Sequence, residues 1–536
     1  MYSMSQSLTK LSANAKVAVV GAGVSGLTFT YFLSKLRPDI KISLIDSSNR
    51  CGGYINSCNT KDNEGKPIMV EKGPRTLRGV SDGTVMIVDL LRSLHKEDTI
   101  QYIDSKSEAN RKFLLDPSNK LIQVPNSPMS LLQFLLNPLG KGLISGLLGE
   151  PFRKAKDNLG ADETAHSLIC RRFGNEYVSN NVFSAIFHGI YSGDIKQLSA
   201  KRTLGALLEM EKEHGSFIKA MINKSKESYK KKKNHDTMQK HVLSDFLTKY
   251  QQAMGKDKEE MIELSTKLKK YPMLGLKNGL ETFPKTLSEA VTGMPNVELL
   301  TAKDVSKFHK DDDGQITLVT SCGESLKGFQ HLRLTNNPAI IGAMVEDPKL
   351  ANELETVKSS TVLLVNFYLP KKDVLKQYHG FGYLVPQSNK NQEKLLGVIF
   401  DSVIEKNFQP LFGQPTIKSD HEYTKLTAML GGHFLQDGST DSIPSKSLII
   451  RAVKHALQDH LDIDENDLNK AHWEVTVAKD CLPQFKVGYD EWLKRVEERF
   501  AQLYNDEVSL GGMAFSKGPG VPDVVCNGFE DALKLA

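Results

Sequence analysis

Residues 17–27 read Val17-Ala18-Val19-Val20-Gly21-Ala22-Gly23-Val24-Ser25-Gly26-Leu27, and this stretch decides the fold. Lys16–Val20 is an apolar run of strand length. Val24–Leu36 has helical apolar spacing at Leu27, Tyr31 and Leu33, Pro38 closes it, and Lys41–Asp46 alternates as a second strand. The unit spans about thirty residues, the size of a βαβ unit. In the loop, Gly21 permits the tight turn out of the strand, Gly23 admits a close-lying pyrophosphate, and Gly26 brings the helix onto the sheet. The free N–H groups and dipole at the helix start stabilise phosphate charge there. Asp46, twenty residues after Gly26, is placed to bond the ribose hydroxyls of an adenosine. A glycine turn without a ligand is the alternative, and the strand, helix and acid together favour the dinucleotide.

Working outward, residues 82–95 read as helix, and residues 110–265 are dominated by helix formers and lysine. Strands return at Gln315–Thr320, Thr361–Tyr368 and Leu395–Phe400, and the chain ends with strand Val508–Leu510, a glycine turn and a helix from about Phe529. The lysine run Lys230–Lys233 reads as a solvated face. Residues 129–148 read MSLLQFLLNPLGKGLISGLL. Leu131, Leu135, Leu139, Leu143 and Leu147 form an apolar stripe flanked by Leu132, Leu136, Ile144 and Leu148. Gln133, Asn137, Pro138 and Lys141 make a poor spanning helix. Broken helices lying in a lipid interface fit better, with a buried helical hairpin as the alternative.

Composition excludes several classes. The 536 residues are 40% hydrophobic and 25% charged, which is ordinary for a globular chain of two to four domains. A net charge of +5 is too small to point to nucleic acid, and suits an acidic small substrate or an anionic membrane. Cys51, Cys58, Cys170, Cys322, Cys481 and Cys526 form no Cys-x-x-Cys pair, so reduced thiols are expected and a metal site is not. No Ser-His-Asp set or paired carboxylate stands out in recognisable spacing.

Several segments carry a resemblance. Arg50-Cys51-Gly52-Gly53 resembles the Arg-x-Gly-Gly segment of flavin amine oxidases, phytoene desaturases and protoporphyrinogen oxidases. Glu71-Lys72-Gly73-Pro74-Arg75-Thr76-Leu77 resembles the Gly-Pro-Arg segment of the last of these. Leu274–Pro284, Gly380–Pro386, Leu396–Ser402, Ala428–Gly432, Cys481–Phe485 and Gly518–Asp523 are similar to further segments of that family, in order, from near residue 16 to about 530. The resemblance is to mitochondrial fungal protoporphyrinogen oxidases. It implies an α/β fold: a discontinuous Rossmann-like FAD-binding domain (1–107, 263–335 and 491–536), an inserted helical membrane-binding domain (108–262) and a mixed α/β substrate domain (336–490).

The resemblance also implies the chemistry. Protoporphyrinogen IX loses six electrons in three two-electron steps to non-covalent FAD, and molecular oxygen reoxidises the flavin to give hydrogen peroxide. No catalytic side chain beyond the flavin is implied. Cofactor contacts are expected at Gly21, Ala22, Gly23, Val24, Ser25 and Gly26, at Asp46 and Ser47, and at Gly52, Gly53 and Tyr54. The same holds for Gly73, Pro74, Arg75 and Thr76, for Val305, and for Gly512, Pro519, Gly520 and Val521. Phe381, Leu384 and Met429 are expected to wall the substrate pocket, with Gly382 leaving room for the ring. A propionate partner is expected at Lys112, where the family has arginine, or at Arg111 beside it. A homodimer, contact with the next haem-pathway enzyme and the mitochondrial inner membrane complete the expectations. The Ser/Thr-rich, acid-free first fifteen residues resemble a fragment of a mitochondrial targeting segment.

Two other readings stay open. An amine oxidase often attaches FAD at a C-terminal cysteine, and Gly511–Ser516 has none. Rab escort proteins and GDP-dissociation inhibitors share the fold without an intact flavin site, which this chain retains.

Overall fold

The computed structural model describes residues 8–156, 161–233, 242–414, 422–435 and 443–536. Half of the expected targeting segment (residues 1–7) and the side chains of Lys230–Lys233 lie outside the described residues.

A five-stranded parallel sheet holds the dinucleotide loop. Its order is Val508–Leu510, His331–Leu334, Lys16–Val20, Lys41–Ile45, Val297–Leu300. Val17 to Val20 are at most 4% exposed, because helices cover both faces of a parallel sheet. The first helix, Val24–Leu36, is buried from Val24 to Ser34. The C-terminal helix, Val521–Leu535, packs along it. A Cβ on Gly528 would meet Thr28 Cγ2 at 3.1 Å, so glycine permits this close approach. That helix starts eight residues before the expected Phe529. Pro522 and Gly528 read as breaks in sequence, yet proline is tolerated in a first turn and Gly528 serves packing.

The second sheet has seven strands, in the order His472–Pro483, Ser359–Leu369, Thr424–Gly431, Leu395–Ile399, Gly382–Leu384, Lys112–Leu115, Leu121–Gln123. The last two strands correct the expected helical insertion from residue 108. Lys112–Leu115 pairs parallel to Gly382–Leu384 and turns back as an edge hairpin. A four-residue apolar strand cannot be told from helix by its periodicity. The other expected boundary, 262, also moves. The helices Asp245–Ala253 and Lys258–Leu268 bury Leu247, Tyr250, Met261, Leu264 and Leu268 in the core of the dinucleotide region.

What remains of the insertion is helical from Pro128. Pro128–Leu136 and Pro138–Phe152 bend by 91° about Asn137, and among the described residues no single helix is long and apolar enough to cross a membrane. Its interior is charged. Arg172 and Glu150 are 0% exposed and paired, and Glu150 also accepts the Phe217 and Ile218 amides that open the helix Phe217–Lys233.

Candidate functional site

The glycine loop is held from several sides. Gly21 N donates to Ile45 O, and Thr335 Oγ1 donates to Val20 O and Gly21 O. A Cβ on Gly26 would lie 1.8 Å from Gly21 O, so the turn and the helix touch there. Gly23 and Gly53 face each other, with only a Gly53 Cα 3.8 Å from where a Gly23 Cβ would stand. The helix begins at Gly23 without a side-chain cap or an acid in its first turn, and Ser25 Oγ is buried without a partner. Val24 is buried beside it and Ala22 N is already bonded.

Asp46 stands just past the second strand. Its carboxylate accepts from Ala22 N at 2.6 Å and Ser48 N at 2.8 Å, so it braces the loop and keeps its remaining lone pairs for a ligand. Ser47 is exposed beside it. Val305 lies nearby through Ala302 and Lys303, whose amides bond Ser48 O and Asp46 O, but its side chain is in the core. Only the Val305 backbone is left for a cofactor.

Arg50 does not face a diphosphate. Its guanidinium donates to Cys51 O, Gly53 O and Ile55 O, and so clamps the Gly52-Gly53 turn. A Cβ on Gly73 would lie 2.0 Å from Tyr54 O, so this glycine is required by the chain itself. Pro74 is exposed beyond it and Thr76 is half-buried. The side chain of Arg75 is engaged within the protein, which leaves its backbone for the expected cofactor contact. Its guanidinium pairs with buried Asp401 and donates to Thr427 Oγ1 at 2.9 Å, joining the dinucleotide region to the second sheet. A charge this buried needs a charged partner, and Asp401 provides it. Tyr54 reaches the same sheet, donating to Lys479 O at 2.9 Å. It is 43% exposed, yet burial, with Cys481 and Asp480, raises its pKa. Gly512, at φ +95°, would bring a Cβ 2.9 Å from Thr335 O, and Pro519 and Gly520 lead into the helix at Val521.

Strand alternation sorts the expected pocket residues. Lys112, Leu114, Gly382, Leu384, Gly397 and Met429 share one face of the second sheet through the pairs Gly382–Lys112, Leu384–Leu114, Leu384–Gly397 and Gly397–Met429. Phe381 does not share it. It packs in the core under the other face, because it precedes Gly382 by one residue. Gly382 has φ +141°, and a Cβ there would meet Val398 O at 2.1 Å. The neighbouring strand, not room for a ligand, requires this glycine. Of the basic pair, Lys112 is on the Leu384 face, while Arg111 precedes the strand and its carbonyl accepts from Phe381 N. Burial and then the charge of Arg78 lower the Lys112 pKa. Arg78 makes no hydrogen bond or ion pair among the described residues. Sequence reading passed over it, one residue beyond the Gly-Pro-Arg-Thr-Leu segment. Among the described residues no group of His, Cys, Asp or Glu could hold a metal.

The NAD(P)-binding Rossmann-like domain profile matches residues 19–94. The chain is 52% identical to protoporphyrinogen oxidase of Saccharomyces cerevisiae over 99% of both chains. It is 24% identical to human protoporphyrinogen oxidase over 97% of this chain and 98% of that one. The chain belongs to the protoporphyrinogen oxidase family. It is therefore an oxidoreductase. A solved structure from Exiguobacterium assigned as a protoporphyrinogen oxidase covers 98% of the chain with TM-score 0.70 at 18% identity. Cyclohexylamine oxidase from Brevibacterium oxydans covers 97% with TM-score 0.55 at 13% identity, the same fold.

A flavin cofactor fits what this member of the family offers. The uncapped helix start, the partnerless Ser25 Oγ and the facing Gly23 and Gly53 form a cradle for a diphosphate. Tyr54, next to Gly53 in that cradle, bonds Lys479 O and Asp480 O of the second sheet, whose face bears Leu384 and Met429.

Proposed function

We propose that this chain oxidises protoporphyrinogen IX to protoporphyrin IX, with non-covalent FAD as cofactor and molecular oxygen as final electron acceptor. The observation that carries the reading is the 52% identity over 99% of both chains to a protoporphyrinogen oxidase, in a chain that also presents an uncapped glycine-loop helix start and an apolar sheet face. FAD supplies the two-electron acceptor. The protein's own groups bind and orient. The helix at Val24 holds the diphosphate, and Leu384 and Met429 offer apolar contact to a macrocycle. Lys112 attracts a propionate as a point charge. The Arg75–Asp401–Thr427 contacts keep cofactor and substrate regions in register.

The test is oxygen uptake by purified yellow protein given protoporphyrinogen IX. Uptake with hydrogen peroxide and porphyrin fluorescence is expected, and FAD should pass a filter after denaturation. A colourless protein, or yellow protein that consumes no oxygen with this substrate, overturns the reading.

We further propose that the bent pair at residues 128–152 rests in one leaflet of the mitochondrial inner membrane. Leu136, Leu148 and Phe152 are 79%, 70% and 89% exposed, and Met129, Leu132 and Ile144 are exposed with them. This corrects the expected stripe. Leu139 is 1% exposed and Leu143 packs inward, because the break at Pro138–Gly142 rotates the second helix. Arg153, just past the second helix, turns inward and donates to Arg172 O and Gly146 O. A homodimer and contact with the next haem-pathway enzyme rest on the resemblance alone.

A further inference from the structure

Two histidines meet at the edge of the pocket face. His188 lies on the helix Ser184–Tyr191 and is 1% exposed. Its Nδ1 lies 2.6 Å from Val385 O, and its Nε2 lies 2.9 Å from His433 Nε2. A carbonyl only accepts, so His188 Nδ1 carries the proton and donates. Burial keeps His188 neutral, with His433 adding to the effect, and its pKa is pushed down to about 4. Its Nε2 is therefore an acceptor, and His433 Nε2–H donates to it. This fixes the His433 tautomer and leaves the lone pair on Nδ1, which has no partner among the described residues.

The pair sits beside the apolar pocket residues. Gly189, the next residue after His188, would bring a Cβ within 2.9 Å of Leu384 Cδ2. Phe434, the next residue after His433, packs in one cluster with Met429. His433 N donates to Ser192 O at 2.8 Å, which ties the Gly431-Gly432 turn to the helix end. Burial lowers the His433 pKa, and Asp194 opposes this. Asp194 and His188 are the titratable groups that act on it.

Oxidation of a porphyrinogen needs such a group. In each two-electron step one C–H bond at a methylene bridge and one pyrrole N–H bond break and a conjugated C=N unit forms; a shift of one proton from the fourth bridge carbon to a nitrogen then gives the porphyrin, with four C–H and two N–H bonds lost in all. Bound FAD would accept the electron pair with the C–H hydrogen, and each released N–H proton needs an acceptor. We propose that His433 Nδ1 is that acceptor, held in its reactive tautomer by His188 and Val385. Asp194 favours the imidazolium that results, and the proton then returns to solvent. The inference rests on the oxidation proposed above.

The experiment is anaerobic reduction of the bound flavin by protoporphyrinogen IX from pH 5 to 8.5, followed by absorbance. Wild-type reduction should rise with pH on the acid side, as His433 loses its proton, and level off above, the limb lying to the acid side of an ordinary imidazole because burial lowers the His433 pKa. His433→Gln should bind flavin normally, lose that limb, and reduce flavin roughly 10²–10⁴-fold more slowly on the plateau. Added imidazole should restore part of the rate to His433→Ala. A wild-type rate independent of pH, or a wild-type profile in flavin-loaded His433→Gln, overturns the proposal. If either variant fails to fold, the wild-type profile still decides. Wild-type flavin that protoporphyrinogen does not reduce at any pH refutes the oxidation itself, a separate outcome.

Discussion

The dinucleotide region and the helical insertion differ most in what they leave facing outward. In the first, Leu27, Phe29, Phe32 and Leu33 are 0% exposed inside, and Lys35 and Lys41 face outward. In the second, Arg172, Glu150 and Glu211 are inside, while Leu136, Leu148 and Phe152 are outside. Both interiors combine apolar packing with buried charge: Leu168, Ile169 and Phe173 cluster inside the insertion, and Arg333, 0% exposed, pairs with Asp531 beside the dinucleotide sheet. What sets the insertion apart is its apolar outer face and a connected group of buried ion pairs. Arg171 and Arg172 both pair with Glu211, and Arg172 also pairs with Glu150. The outer faces, and not the interiors, distinguish the two regions.

The largest effects come from the glycine loop. Gly26→Val should destabilise the apoprotein by at least about 3 kcal/mol, since its side chain would enter Gly21 O. Gly23→Val has room within the protein and should leave apoprotein melting nearly unchanged while emptying the flavin site. Equal melting losses in the two variants would show that the loop is one packing unit and not a ligand cradle.

Next is the charged interior. Arg172→Met removes the countercharge of Glu150 and one of the two cations at Glu211 and should cost about 3–5 kcal/mol. Limited proteolysis should then cut the insertion first, with flavin still bound. Simultaneous loss of flavin would mean that the two regions are not separately stabilised.

Smaller in stability, but not in behaviour, is the outer face. Leu136→Ser with Leu148→Ser and Phe152→Ser should change stability by only about 0.5 kcal/mol per site, because these side chains are already exposed. The triple variant should float free of anionic vesicles that the parent binds. Retained binding would move the lipid contact elsewhere.

The smallest effect is a difference in pH response. Glu497, in the dinucleotide region, has its pKa raised to about 7 by burial and by Asp531. Its contribution to stability is fully present below its ordinary value near 4.5 and is lost as pH rises through 7. For Glu150, burial is outweighed by Ser216, Arg172 and the Phe217 and Ile218 amides, and its pKa is lowered. Its contribution is present above its ordinary value and is lost only as pH falls below it. Between pH 7 and 4.5, hydrogen exchange should slow around the helix Tyr489–Tyr504, by on the order of 1–2 kcal/mol. Below that range it should quicken in the insertion. Glu497→Gln should abolish the first change and leave the second.

Much of the molecule was legible locally. Strand, loop, helix and strand from Lys16 to Ile45 follow from apolar spacing, glycine placement and a closing proline within thirty residues. The family segments extended that reading along the chain. The apolar interface segment was also visible, since eight of its leucines lie within eighteen positions of one another, from Leu131 to Leu148.

What the sequence determined by itself was chemistry set by neighbours in the chain: the nucleotide loop, the family and the apolar segment. The tertiary structure decided which side each residue faces and what it meets. Phe381 and Leu384 are three residues apart yet lie on opposite faces, because a strand alternates. Lys112 was separated from Arg111 by pairing with Gly382, a partner 270 positions away. The Arg75 side chain meets Asp401, 326 residues on. His188 and His433 meet across 245 residues, with no local pattern to announce them. Spacing records only what lies within a few turns of backbone, and a site assembled from distant strands exists only once the sheets are registered and packed.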